Sequence, residues 1–211
     1  MGHKVNPISL RLQIKDTWKS RWFADKKTYQ RFLLEDIKLR SALMKKLRLA
    51  GINRVDIERS LKSMRLTLFV TRPGIVIGRG GTGMEELKKF ILKTLGGTPP
   101  KIDIRVEEVK VPDLSAYLVA TRIAEQLEQR MPFRRVVAKA MERTTQAGAK
   151  GIKIALSGRI AGAEIARREK FHTGSIPLQT LRANIDYANV ASLTRSGYIG
   201  VKAWIYKDDS K

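Results

Sequence analysis

The segment PGIVIGRGGTGMEELKK, residues 73–89, constrains the fold and function of the chain more than any other part of the sequence. Gly78, Gly80 and Gly83 form the pattern G-x-G-x-x-G, which binds a dinucleotide pyrophosphate when it lies between a strand and a helix. Gly78 and Gly81 also form G-x-x-G, a loop that brings the backbone of a nucleic acid close to the protein backbone. The two patterns predict an oxidoreductase and an RNA-binding protein, respectively.

A dinucleotide site is supported by a preceding strand, a following helix and Asp103, which lies about as far along the chain as a ribose-binding carboxylate. Several features count against it. Thr82 and Glu85 form a capping box, so we expect the helix to satisfy its own N–H groups. Glu85 and Glu86 place negative charge where the pyrophosphate would lie. Asp103 is in the middle of its strand, and the chain supplies no further strand–helix repeats.

The charge of the chain favours a nucleic acid as the partner. The sequence has 42 Lys and Arg against 20 Asp and Glu, a formal net charge of +22. So many positive charges repel one another in a compact chain, and a bound polyanion would neutralise them. A solvated basic surface is the alternative, and we favour nucleic-acid binding because the excess is so large.

The composition excludes several kinds of site. The chain has no cysteine, which removes disulfides, thiolate metal sites and cysteine nucleophiles. Its two histidines, His3 and His172, lie among basic residues and are expected at the surface or facing RNA. Glu107 and Glu108 are neighbours on a strand and point to opposite faces, so they are not an acid–base pair. We expect no enzyme activity, no cofactor, no metal, no signal peptide and no membrane-spanning segment.

The first half of the chain alternates between helix and strand signals. Helices are predicted over residues 29–49 and 82–95, and strands over the segments INRVDIER, MRLTLFV and KIDIRV. The first helix is predicted from an apolar stripe of five residues at helical spacing: Tyr29, Leu33, Ile37, Met44 and Leu47.

The second half opens with two predicted helices, over residues 114–130 and from Pro132 to before Gly148. Four strand-like segments follow: GIKIALSGR, AEIARREKF, LRANIDYANVASL and YIGVKAWIYK. This order predicts two helices against a mostly antiparallel sheet, an α+β fold. The stretch EEVKVPD is the predicted domain boundary. The chain is thus divided into a basic arm and packing segment, a first domain and a second domain: 1–28, 29–108 and 109–211.

Several segments together resemble one known family. RPGIVIG, with the glycine loop and the helix after it, resembles the KH domain of the small-subunit ribosomal protein number three family. GHKVNPISLRL is similar to the N-terminal arm of that family, and GVKAWIYK to its last strand. FRRVVAKAMERTTQAGAKGIKIALSGRIAGAEIARREKFHTGSIPLQTLRANIDYA is similar to its C-terminal domain. The match covers nearly the whole chain in order, and the short form resembles bacterial or organellar members.

The resemblance implies both a fold and a function. It implies a KH type II domain with a three-stranded sheet, followed by an α+β domain of two helices on a four-stranded, mostly antiparallel sheet. Family members are structural constituents of the small-subunit head, bind ribosomal RNA and help form the channel through which mRNA enters. The implied partners are ribosomal RNA, mRNA and the neighbouring small-subunit proteins number ten and fourteen, with no membrane and no small-molecule substrate. The implied location is a ribosome in the cytoplasm or an organelle.

The resemblance places the mRNA contact in FRRVVAK, at Arg134, Arg135 and Lys139. The spacing agrees, because Arg135, Lys139 and Arg143 recur every four residues and form one helical stripe that can follow phosphates. The alternative to an mRNA contact is that these three residues form an ordinary solvated face of the helix. Family members often carry a further basic residue where this chain has Ala138, so its grip on mRNA is expected to be weaker or displaced.

The remaining RNA contacts are expected in two sets. The glycine loop is predicted to approach an RNA backbone through Gly78, Arg79, Gly80 and Gly81. Gly80 stands where relatives often have a charged residue, so this contact is expected to be modest. Ribosomal RNA contacts are expected at Lys4, Arg11, Arg159, Arg167 and Arg168. For the basic residues of SGRI and IARREK, the alternative is an exposed strand residue without a contact. The alternative function is a free KH-type RNA-binding or ribosome-assembly factor, which would need neither the arm nor the second domain.

Overall fold

A computed structural model of the chain describes residues 3–60, 63–95 and 101–208. The chain divides into two compact units: Trp18–Lys110 is the first, and Met1–Thr17 with Val111–Lys211 is the second. Residues 1–28 were predicted as one segment, whereas the structure distributes them between the two units. The contacts that cause this division are Arg11 in the second unit and a short strand in the first, both described below.

The described residues form six α-helices and eight strands. The helices are α1 (Pro7–Leu10), α2 (Lys26–Lys46), α3 (Pro73–Ile77), α4 (Thr82–Leu95), α5 (Ala116–Glu128) and α6 (Phe133–Gln146). The strands are β1 (Ser20–Arg21), β2 (Ile52–Arg59), β3 (Ser63–Val70), β4 (Lys101–Glu108), β5 (Gly151–Gly158), β6 (Arg167–Gly174), β7 (Ile185–Thr194) and β8 (Gly197–Tyr206).

The sheet of the first unit has the strand order β1-β2-β3-β4. β2 and β3 are antiparallel, and β4 runs parallel to β3. The three predicted strands are therefore present, and β1 adds a two-residue edge in which Ser20 lies opposite Ile57. Because alternate residues of a strand share one face, Leu66 and Leu68 of β3 are buried together with Leu43 of α2.

Helix α2 turns a different stripe towards the core from the predicted one. Its buried positions are Asp36, Leu39 and Leu43, and Met44 and Leu47 of the predicted stripe also contact the core. Three residues of that stripe are 41% exposed or more: Tyr29, Leu33 and Ile37. Both stripes have helical spacing, so periodicity alone could not choose between them.

Asp36 can occupy a core position because its charge is satisfied there. Its carboxylate accepts hydrogen bonds from Nε1 of Trp22 and Nε of Arg59, each at 2.8 Å. Arg59 also pairs with Glu35 at 2.9 Å. A buried carboxylate is tolerated only with partners of this kind. The first unit therefore contains a polar network beside its apolar core.

The segment PGIVI before the glycines is a short helix, α3, and not the end of a strand. Pro73 occupies a first-turn position, where its missing N–H is no loss. Val76 is the buried residue of this helix and joins the core of the first unit. The glycine loop consequently joins two helices, which differs from the strand-to-helix connection that a dinucleotide site requires.

The second unit contains a wholly antiparallel sheet of order β6-β5-β8-β7, with α5 and α6 in the same core. β5 and β8 are the central strands, and their inward residues include Ile154, Leu156 and Val201, all fully buried. Ile123 of α5 and Val137 of α6 pack into this core. Truncating one of the buried isoleucine or leucine residues to alanine should cost about 2–5 kcal/mol. The structure confirms the predicted α+β class.

Candidate nucleic-acid interface

Helix α6 presents the predicted cationic stripe to solvent. Arg135, Lys139 and Arg143 are all exposed. The opposite side of the helix is fixed in the core by Val136 and Val137, which are 2% and 0% exposed. The stripe therefore belongs to a helix whose orientation is set by packing. Successive members lie about 6 Å apart along the helix axis.

The charges of this stripe remain available for a partner. Within residues 3–60, 63–95 and 101–208, no carboxylate forms an ion pair with Arg135, Lys139 or Arg143. Glu142 lies on the same helix and accepts a hydrogen bond from Nε2 of Gln146 at 3.4 Å. The stripe is thus a row of exposed cations without internal neutralisation.

Arg134 and Ala138 form the neighbouring row of α6, and both are exposed. The guanidinium of Arg134 lies over the ring of Phe133, 5.8 Å from its centroid. Ala138 contributes no charge at the position where the resemblance expects one. This row therefore carries a single cation, at the N-terminal end of the helix.

The glycine loop is exposed and has a conformation that favours glycine. Gly78, Gly80 and Gly81 have φ angles of +72°, +61° and +82°, a region that other residues adopt only with strain. A Cβ on Gly80 or Gly81 would meet no atom within 4 Å, so the loop faces open space. Arg79 lies within it and is exposed. A phosphate backbone can therefore approach this loop closely.

Gly83 has a structural role that the sequence patterns do not reveal. A Cβ at this position would lie 2.5 Å from the carbonyl oxygen of Val76 and 3.0 Å from that of Ile77. Helices α3 and α4 approach one another so closely here that only glycine fits. The third glycine of the apparent G-x-G-x-x-G pattern thus serves helix packing.

The predicted capping box at Thr82 is not formed. Thr82 already has helical backbone angles, φ −56° and ψ −37°. Its hydroxyl donates to the carbonyl oxygen of Arg79 at 3.0 Å, so it links the loop to the first turn of α4. The predicted capping box is therefore wrong, although Glu85 does place negative charge in the first turn.

Arg11 is not at the RNA surface. Its side chain is fully buried, and its guanidinium donates to four backbone carbonyl oxygens, those of Pro7, Leu178, Thr180 and Ala183, at 2.8–3.0 Å. These bonds hold the N-terminal residues on the second unit. The expected ribosomal RNA contact is therefore corrected to an internal one.

Arg168 and Lys4 contribute to a cluster of like charges on one face of the second sheet. Ser157 of β5 lies opposite Arg168, and Ala155 lies opposite both Lys170 and Lys202. We call Lys153, Arg168, Lys170 and Lys202 the basic sheet face. Burial and then the charges of Lys4, Lys170 and Arg168 lower the pKa of Lys153 below its usual value. Lys153, Lys170 and Lys202 were not predicted, although period-two spacing on paired strands could have grouped them.

Arg159 and Arg167 have different surroundings. Nε of Arg167 pairs with Oε1 of Glu169 at 2.8 Å on the same strand, so its charge is partly neutralised. Nε of Arg159 donates to the carbonyl oxygen of Ala163 at 2.9 Å, and its side chain is exposed. Of these two residues, Arg159 is the better placed for a phosphate.

Other kinds of site find no support in the described part of the chain. No group of three or more His, Asp or Glu residues there could hold a metal ion. None of its helices combines the length and hydropathy needed to cross a membrane.

Comparison with known proteins agrees with the fold. A family model described as "KH domain" matches residues 38–114, and one described as "Ribosomal protein S3, C-terminal domain" matches residues 123–205. The small ribosomal subunit protein uS3 of Caldicellulosiruptor saccharolyticus is 51% identical over 209 residues, which cover 99% of this chain and 93% of the relative. The chain belongs to the uS3 family. The uS3 protein of Legionella pneumophila (strain Lens) is 50% identical over 99% of this chain and 94% of its own. The uS3 protein of Dinoroseobacter shibae is 46% identical over 99% of this chain and 86% of its own.

Membership of the uS3 family confirms the predicted family, the KH domain and the class of a structural, non-enzymatic protein. It does not favour a free KH-type factor, because the similarity to uS3 includes the second domain and the N-terminal residues. The glycine loop accordingly belongs to a KH domain.

Proposed function

We propose that this uS3 protein, a ribosomal RNA-binding constituent of the small subunit, holds incoming mRNA on helix α6. The constituent role and ribosomal RNA binding follow from the family. The observation that carries the mRNA contact is the stripe of Arg135, Lys139 and Arg143, exposed on a packed helix and not paired with any carboxylate of the described residues. The channel lies in the subunit head, as the resemblance implies.

Such a stripe suits mRNA because it recognises phosphates and not bases. Contacts to phosphate fix the path of a strand without reading its sequence. A protein that meets every message needs this property. Because α6 is anchored by Val137, its cations stay in place while the strand moves past them. Any effect on mRNA structure would then be mechanical.

The glycine loop and the basic sheet face are proposed to bind RNA as well. Gly80 and Gly81 leave space for a backbone, and Arg79 supplies one charge. Burial, and then the charges of Lys4, Lys170 and Arg168, lower the pKa of Lys153, so the cations of the basic sheet face are unfavourable to one another in the free protein. Phosphates of ribosomal RNA would relieve this repulsion. Arg159 is proposed as a further contact.

A protein neighbour is proposed at the exposed apolar stripe of α2. Tyr29, Leu33 and Ile37 follow one another at every fourth position and remain exposed. Apolar side chains grouped in this way mark protein contact surfaces. The resemblance names small-subunit proteins number ten and fourteen as the neighbours to test at this surface.

The experiment compares mRNA binding by small subunits that carry Arg135→Gln and Lys139→Gln with binding by unaltered subunits, over a range of salt. Each lost phosphate contact should reduce the slope of log affinity against log salt by about 0.7. Arg182→Gln is the matched control, because Arg182 is exposed in the same unit but lies outside α6. An equal effect of the control, or no effect of the α6 changes, would refute the proposal.

A further inference from the structure

A cavity of about 490 Å³ lies at one end of the second unit, where three connections meet. They are the link between α5 and α6, the turn after β5 and the hairpin between β7 and β8. Its volume is in the range of sites that hold small molecules. No residue of the predicted interface except Arg159 lines it.

Three arginines line the cavity: Arg130, Arg159 and Arg195. The lining contains no Asp or Glu among the described residues, and no carboxylate in that part of the chain forms an ion pair with these arginines. Glu128, two residues before Arg130, accepts a hydrogen bond from the backbone N–H of Leu193. The cavity is therefore strongly cationic.

The rest of the lining is largely apolar and includes one aromatic ring. Leu127, Met131, Phe133 and Ile199 form this part. The ring of Phe133 is half-buried and packs against Phe171 at 6.4 Å between centroids, which fixes its position. Ser196 adds a hydroxyl group to the wall. Aromatic and guanidinium planes both stack on nucleic-acid bases.

Backbone strain is concentrated at this cavity. Outside glycine, positive φ angles in the described residues occur at Gln13, Arg130 and Ala161. Two of these three, Arg130 at +61° and Ala161 at +58°, line the cavity. Strain of this kind persists where the surrounding structure enforces it, often at ligand sites.

We propose that this cavity binds one unstacked nucleotide of single-stranded RNA, with the base against Phe133 and the phosphates on Arg130, Arg159 and Arg195. A free phosphate would leave the apolar wall unused, whereas a nucleotide uses both halves of the lining. The proposal rests on the proposed function, since Phe133 begins α6 and an mRNA strand bound here would continue along the cationic stripe. The nucleotide comes from ribosomal RNA or from mRNA, and the experiment separates the two.

The first test uses the full chain and two labelled decamers, a single-stranded RNA and a ribose-phosphate chain without bases. Ser196→Phe fills the cavity and leaves every arginine in place. It should weaken RNA binding by about 10-fold, in keeping with the loss of one stacked base, and leave binding of the base-free chain unchanged. Ser175→Phe, at an exposed serine of the same unit, is the control and should change neither.

Arg195→Gln provides a second variant at an exposed residue, in case Ser196→Phe disturbs the fold. It should weaken binding of both decamers, because both carry phosphates. Lys139→Gln tests the stripe separately. If Lys139→Gln weakens binding and the cavity variants do not, the cavity proposal fails and the mRNA contact stands. If none of them weakens binding, both fail.

The second test places a photoreactive group at position 196 in small subunits isolated from cells and supplied with labelled mRNA. A crosslink to ribosomal RNA or to mRNA would support the proposal and identify the source of the nucleotide. A crosslink to a protein alone, or no crosslink, would overturn it.

Discussion

Nε of Arg11 donates a hydrogen bond of 2.8 Å to the carbonyl oxygen of Ala183, a residue 172 positions away in the chain. Three further carbonyl oxygens, of Pro7, Leu178 and Thr180, accept from the same guanidinium. One buried cation thus joins the N-terminal residues to the segment between β6 and β7. These bonds stabilise the second unit, which carries the proposed mRNA-binding helix.

Replacing Arg11 by alanine should destabilise the second unit by about 3 kcal/mol, because buried carbonyl groups would lose a charged donor. Arg11→Lys should recover only part of this stability, since an ammonium group cannot reproduce the planar arrangement of donors. Hydrogen exchange of residues 178–183 measures the effect locally. Arg182→Ala is the control at an exposed arginine of the same segment. If both changes raise the hydrogen-exchange rates of residues 178–183 equally, the account is contradicted.

Gly83→Ala should destabilise the first unit by about 1–3 kcal/mol, the usual cost of overpacking. The new methyl group would lie 2.5 Å from the carbonyl oxygen of Val76. Gly74→Ala is the control within α3, because its Cβ would meet nothing within 4 Å and its φ is not positive. It should be neutral or stabilising by up to about 1 kcal/mol. Urea unfolding of the two variants checks the difference, and similar midpoints would count against close helix packing.

Ala138→Lys should strengthen RNA binding by adding a cation beside the stripe of α6. Ala138 is exposed and lysine is a good helix former, so stability should hardly change. One added phosphate contact should steepen the salt dependence of single-strand binding by about 0.7. Fluorescence anisotropy with a labelled RNA measures this slope. Ala138→Gln is the uncharged control, and an unchanged slope for the lysine variant would show that the strand does not follow α6.

Asp56→Asn should stabilise the first unit at neutral pH by up to about 1 kcal/mol. Burial raises the pKa of Asp56 above its usual 3.8, against the opposing charge of Arg54 and other cations. The folded state therefore bears a cost of ionisation that is absent below pH 3.8 and complete once the pH exceeds the folded pKa. Asparagine avoids this cost, so its advantage should disappear as the pH falls towards 3.8.

Unfolding followed between pH 3 and 7 tests this dependence on ionisation. Asp103→Asn is the matched control on β4, where the carboxylate is 53% exposed. Asp103→Asn removes the same negative charge, but from an exposed carboxylate that bears no cost of burial. If the free energies of unfolding of Asp56→Asn and of the unaltered chain differ by the same amount at every pH, the explanation is refuted.

The sequence sufficed for features that depend on local pattern. The apolar residues of α4 repeat at helical spacing and those of β4 alternate, so each pattern fits only one kind of secondary structure. The charge spacing of α6 predicted an exposed stripe, which the structure contains. Resemblance over the whole chain added the family, which no single glycine motif could have established.

Features that depend on distant partners were not predictable. The burial of Arg11 requires carbonyl groups more than 160 positions away, and that of Asp36 requires Arg59 and Trp22. PGIVI is apolar and rich in β-branched residues, which favour strands. Its helical form depends on Pro73 and on the close approach that Gly83 permits. The cavity at Phe133 is built by three connections and has no local signature.

The most direct test of the central claim is photo-crosslinking from position 138 of α6 in small subunits isolated from cells and loaded with labelled mRNA. The account predicts crosslinks to mRNA that are lost once the message is shortened from its 3′ side past the nucleotides that reach α6. Position 182, exposed in the same unit, should give none. Crosslinks from position 138 to ribosomal RNA or protein alone would contradict the claim that α6 holds incoming mRNA.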